Sequence, residues 1–241
     1  MSRFQKLAYG AVVAAWIMVG IGAVVRSTGS GMGCPDWPLC HGQVIPPLGD
    51  TAAWIEWIHR TWGVLIGFIV LALVVSAWRT QRATRSVLVG SVVALVLTGF
   101  QAYLGKVTVD TGNADQWVTA HFATAMLLIA VLTFVAVRSG YPATFARSGA
   151  SQRDTLLIAF AAGLVYALLL FGAQVTATGA ALVFPDWPLF NGQLFPELSS
   201  EATAASLQMT HFLHRLVAAV VGVVLLAATV IVWRRLSLIH I

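Results

Sequence analysis

Six apolar stretches, each long enough to cross a bilayer, constrain this chain more than any other feature. They run roughly over residues 7–25, 54–78, 86–105, 117–138, 155–176 and 207–233, and about twenty apolar residues suffice for a transmembrane helix. Only 10% of the residues are charged and 59% are hydrophobic, whereas an ordinary soluble domain is about a quarter charged. The first stretch is too long for the core of a secretion signal, and no small-residue cleavage site follows it before Arg26. The expected fold is all-α, a polytopic membrane bundle with six spans.

The charges give that bundle a direction. Arg3 and Lys6 precede the first span, Arg79, Arg82 and Arg85 follow the second, Arg138, Arg147 and Arg153 follow the fourth, and Arg234 and Arg235 follow the sixth. The opposite loops hold only Arg26 and Lys106 against Asp36, Asp50, Asp110, Asp115, Asp186, Glu197 and Glu201. Such asymmetry puts the N-terminus in the cytoplasm and the long loops outside. The net charge of +5 therefore reports topology, and a nucleic-acid partner is not expected. Both cysteines, Cys34 and Cys40, fall in the first outside loop. In an oxidising compartment they can close a disulfide; two free thiols are the other reading, and a metal site would need more ligands than His41 adds.

The chain also repeats itself. Val25-Arg26-Ser27-Thr28-Gly29 returns as Val175-Thr176-Ala177-Thr178-Gly179, and Pro35-Asp36-Trp37-Pro38-Leu39 as Pro185-Asp186-Trp187-Pro188-Leu189, each followed by Gly-Gln at the same offset. Glu56-Trp57-Ile58-His59-Arg60 returns as His211-Phe212-Leu213-His214-Arg215. Tandem helical units of this kind are common in membranes. The expected halves are residues 1–140, a four-helix bundle, and residues 141–241, a second bundle of which two helices are present, joined through a polar linker near residues 139–153. A complete second copy would need two more helices, and the ending at Ile241 reads as a truncation. Glu56 becomes His211, Arg26 becomes Thr176, and the cysteines become Phe184 and Phe190, so equivalent scaffolds carry unequal polar groups.

Ionisable residues inside a span are costly and point to function. His59 lies about five residues into the second span and His121 about four into the fourth, so at 1.5 Å per residue the two imidazoles reach similar depth near the outer surface. His214 repeats the position of His59. The bland reading for each is an imidazole hydrogen-bonded to a neighbouring helix. Zinc would want three or four ligands, and a carboxylate-bridged di-iron bundle needs acids that the other spans lack. Haem needs one or two axial histidines and a large apolar pocket, and fits best. Glu56, on the same helix face as His59, could move protons beside a haem edge, or could be a structural acid paired with Arg60 or Arg26. Arg60 and Arg215 suit haem propionates, or snorkel to the interface. His211 is a spare polar contact or supports a ligand from behind.

Taken together, the loop sequence at residues 34–40, Glu56-x-x-His59-Arg60, Gln101-x-x-Leu104-Gly105, Thr119-Ala120-His121 and the repeated His214-Arg215 resemble the haem A synthase family, from about residue 7 to 235. The resemblance implies eight helices in two pseudo-symmetric four-helix bundles, which oxidise the C8 methyl of haem O to the formyl of haem A by successive hydroxylations for terminal oxidases. It implies substrate haem held between His59 and His121, Glu56 as an essential acid, a matching cysteine pair at Cys34 and Cys40, and His214 as one ligand of a haem b cofactor. The other haem b ligand would lie in the two helices beyond residue 241. A haem O synthase as supplier, an electron donor, a homo-oligomer and a bacterial inner-membrane location complete that expectation. The rivals are a non-catalytic b-type cytochrome and a haem carrier or oxidase-assembly factor, neither of which needs Glu56.

Overall fold

A computed structural model describes residues 1–142 and 152–239, with side chains to residue 234. Its six helices are α1 (Arg3–Ser27), α2 (Thr51–Thr80), α3 (Arg85–Asp110), α4 (Asp115–Arg138), α5 (Gln152–Ala177) and α6 (Ala202–Ile239). All six are long and apolar enough to cross a membrane. The chain divides into two compact units, Met1–Ala146 and Arg147–Ile241. Most of the expected linker, residues 143–151, lies outside the described residues, as does His240.

Several helices run past the apolar runs that announce them. Ser2 caps α1, its hydroxyl accepting the Gln5 N–H while the Gln5 side chain accepts the Ser2 N–H. Asp50 caps α2 by accepting the Ala53 N–H at 2.9 Å. Each satisfies backbone donors that the first turn cannot. The third span does not stop near Gly105 with an outside loop through Asp110 and Asp115, as its hydropathy suggests. Instead α3 continues to Asp110, the Lys106–Asp110 pair spans its last turn, and Asp115 already belongs to α4. Polar residues that pair at i,i+4 extend a helix beyond its apolar length.

In the first unit, α1 packs on α2, α2 on α3, α3 on α4, and α4 back on α1. This closed ring buries Phe4, Ala8 and Ala11 of α1, Val70 and Leu73 of α2, Val87 and Ala94 of α3, and Leu132 and Val135 of α4. All of these belong to the half of the bundle that holds the N-terminus. At the other end every residue of α4 from Trp117 to Met126 is half-buried. His59 and His121 stand at that end.

The two outside loops fold alike. After α1 and α5 comes a single 3-10 turn, at Ser30–Met32 and Ala180–Leu182, and then a tight reversal paired as Cys40 with Gln43 and Phe190 with Gln193. The reversal needs positive φ at two successive residues, met by His41-Gly42 and Asn191-Gly192, the pattern of a type I′ turn. Asp36 accepts both turn amides, from His41 at 2.6 Å and Gly42 at 2.7 Å, and Asp186 does the same for Asn191 and Gly192. The same turn thus forms in both copies.

The Gly42 N–H first, and then the His41 N–H, hold the Asp36 carboxyl below its ordinary value of 3.8; the Gly192 and Asn191 amides lower Asp186 likewise. A carboxylate depressed by folding adds stability above its unfolded pKa and loses it as pH falls through the folded one. Both loops should therefore keep their form from neutral pH down to about 4 and open only below that. Fluorescence of the loop residues Trp37 and Trp187 during an acid titration checks this, and a transition near neutral pH would contradict it.

Candidate functional site

Glu56 is buried, at 4% exposure, one turn before His59 on α2. One carboxylate oxygen, Oε1, accepts from Arg60 Nη2 at 2.5 Å, and the other, Oε2, accepts the Cys34 N–H at 2.9 Å. Arg60 in turn donates to the carbonyls of Cys34 (2.7 Å), Asp36 (2.6 Å) and Leu39 (2.9 Å). Its four Nη hydrogens are thus shared between the loop backbone and Glu56. Arg26 stands exposed at the end of α1. Cys34 and Cys40 form a disulfide and, both fully buried, pack on Ala53 and Trp57. Loop, disulfide, acid and arginine make one assembly above the histidines.

The second unit repeats that assembly with other parts. Arg215 donates to the carbonyls of Phe184 (3.0 Å) and Leu189 (2.8 Å), the counterparts of Cys34 and Leu39. Its Nε donates to His211 Nε2 at 3.0 Å, so His211 takes the place of Glu56 as a neutral acceptor. Where the first loop has its disulfide, Phe184 and Phe190 meet edge to face with centroids 5.1 Å apart. The Arg215 guanidinium lies 4.9 Å over the Phe190 ring, a cation–π contact.

The histidines separate into two kinds. His211 is bonded to Arg215, and His41 Nε2 lies 2.9 Å from the Gly33 carbonyl. His59, His121, His211 and His214 all have a buried Nδ1 without a partner, but only His211 has its other nitrogen bonded; no hydrogen bond reaches either ring nitrogen of His59, His121 and His214 among the described residues. A histidine that merely ties two helices would have a nitrogen bonded across the interface, because an unmet buried polar atom costs about 1–3 kcal/mol. These three keep the lone pair that an iron ligand requires. His214 stands edge-on to Phe171, with ring centroids 5.3 Å apart. No three His, Cys, Asp or Glu side chains converge among the described residues, so a zinc or di-iron cage finds no ligand set there. Two unbonded imidazoles at one end of an apolar bundle fit haem.

Sequence reasoning missed the residues that hold these helices in register. Gln101 of α3 donates to the His121 carbonyl at 3.1 Å and to the Thr124 hydroxyl, fixing the turn of α4 that carries His121. Trp62 of α2 donates to the Ala14 carbonyl of α1 at 2.9 Å. A glutamine inside a span was the available signal for the first, since polar side chains there hydrogen-bond between helices.

The wider likeness agrees with these parts. A family model described as cytochrome oxidase assembly protein, COX15-CtaA, matches residues 5–239. Heme A synthase of Halalkalibacterium halodurans is 34% identical over 223 residues, covering 90% of this chain and 72% of that protein. Heme A synthase of Alkalihalophilus pseudofirmus is 36% identical over 209 residues, 85% of this chain and 67% of that protein. Heme A synthase of Bartonella tribocorum is 26% identical over 232 residues, 81% of this chain and 64% of that protein. With a match that runs almost from end to end, the chain belongs to the COX15-CtaA family.

Proposed function

We propose that this chain acts as a haem A synthase, a membrane oxidoreductase that converts the C8 methyl of haem O to the formyl of haem A. The observation that carries the reading is that two unbonded imidazoles and a buried carboxylate stand at the same end of the first bundle. His59 and His121 would hold the substrate haem O in that half. In the second half His214 would hold haem b, which when bound supplies a one-electron iron centre.

Turning a methyl into a formyl adds one oxygen and removes two hydrogens, so the carbon loses four electrons and protons must leave. Glu56 is suited to take them. A carboxylate has about four lone-pair positions, and only one on each oxygen is engaged here, by Arg60 and by Cys34. The Arg60 clamp and the disulfide hold that acid in place, and the apolar spans keep bulk water from the reacting carbon. Electrons pass to or from a separate redox partner, and a haem O synthase supplies the substrate. The surplus of basic residues in the loops on one side supports a bacterial inner-membrane protein with its N-terminus in the cytoplasm. A homo-oligomer belongs to the same reading.

One observation favours a second reading. Both Glu56 oxygens are occupied by structural partners, as they would be in a non-catalytic b-type cytochrome or haem carrier that used the acid only to fasten its loop. Pigment extracted from cells that make haem O, with and without this chain, separates the two. Haem A should accumulate only when the chain is present. Bound haem with no haem A would overturn the enzyme in favour of the cytochrome or carrier.

A further inference from the structure

The three unbonded histidines share one more feature: each faces a glycine on a neighbouring helix of its own unit. A Cβ built on Gly22 of α1 would stand 3.3 Å from His59 Cε1, and one on Gly172 of α5 would stand 3.2 Å from His214 Cε1 and 3.6 Å from its Nε2. At Gly105 of α3 the distance to His121 Cε1 would be 3.6 Å. Other glycines of the same helices, Gly20, Gly99 and Gly163, would meet nothing within 4 Å. Gly22 and Gly172 also stand at the offset that relates Gly29 to Gly179 and Pro35 to Pro185, so the glycine–histidine contact occurs in both copies of the repeat.

Carbon atoms in good contact lie about 3.5–4.0 Å apart. A methyl at Gly22 or Gly172 would come closer than that range, against the atom that lies between the two ring nitrogens. The imidazole would have to give way by a few tenths of an ångström. At Gly105 the contact is ordinary and nothing need move.

We propose that Gly22 and Gly172 are positioning residues, which set the tilt of His59 and His214 and so the direction in which each free nitrogen is offered to haem iron. The inference rests on the haem-binding reading above. Neither glycine touches the reaction, and each acts through the histidine it faces. Alanine is the better helix former, so the alanine variants have no reason of helix propensity to misfold.

The test titrates haem b into the full chain in detergent and reads affinity, absorption spectrum and spin state, with circular dichroism as a check on helix content. Gly22→Ala and Gly172→Ala should each weaken the haem of the altered half by about tenfold or more, the scale seen when a ligand-orienting contact is lost, and should change its spin-state signature. Gly20→Ala and Gly163→Ala, on the same two helices, and Gly105→Ala should leave both unchanged. Wild-type affinity and spectrum in Gly22→Ala and Gly172→Ala would overturn the proposal, and so would an equal loss in Gly20→Ala and Gly163→Ala. A wild-type chain that takes up no haem would overturn the haem-binding reading itself, and this inference with it.

Discussion

Replacing Arg60 with methionine is expected to destabilise the first bundle by about 3–5 kcal/mol, the range for breaking a buried ion pair from one side. The same change at Arg215 is expected to cost only about 1–3 kcal/mol, the range for unmet buried hydrogen-bonding groups. The two arginines sit at equivalent positions; Arg60 reaches three loop carbonyls and Arg215 two, and their side-chain partners differ in charge. Without Arg60 the Glu56 carboxylate stays buried with only the Cys34 N–H, a charge left uncompensated. Without Arg215 the group left behind is the His211 ring, which carries no charge. Thermal unfolding of both variants in detergent, followed by circular dichroism, compares them directly. Equal shifts in midpoint would mean that the Glu56–Arg60 pair adds nothing to the clamp.

Glu56→Gln should lower haem A formation by about 10²–10⁴-fold, the usual contribution of a positioned acid or base, while bound haem stays as in the wild type. The amide keeps the carboxylate's shape and can still accept from Arg60 through its oxygen. Its NH2 then faces the Cys34 N–H, donor against donor, so one loop bond is lost while the pocket below is unchanged. Haem A at the wild-type level would remove Glu56 from the chemistry. Loss of haem together with haem A would assign it to holding the loop.

The bundle was legible because a membrane leaves so few choices. Six apolar runs and the side on which arginines gather specify the helices, and the duplicated Pro-Asp-Trp-Pro-Leu specifies two copies. His59, His121, His214 and Glu56 stood out because polar groups are conspicuous among valines and leucines. Helix ends were less legible: Lys106 and Asp110 look like loop by hydropathy, yet together they close the last turn of α3. The pairing of Glu56 with Arg60 was among the readings the sequence offered, but the wider grip of Arg60 and Arg215 was not legible, for a physical reason. Their partners are mostly backbone carbonyls, which every residue has, so nothing in the side chains announces the contact. Gly22 and Gly172 were hidden differently, since glycine is frequent in membrane helices; their shared offset of 150 positions was the available clue.

An arginine that grips carbonyl oxygens is indifferent to what the gripped residues carry. Positions 34 and 39, and their counterparts 184 and 189, can therefore change their side chains without loosening the clamp. The chain demonstrates that tolerance at position 34 and its counterpart 184: one copy fills the space with a disulfide and the other with phenyl rings meeting edge to face, under equivalent arginines. Each half can thus carry its own residues beneath the arginine while its histidine keeps its place in the repeat.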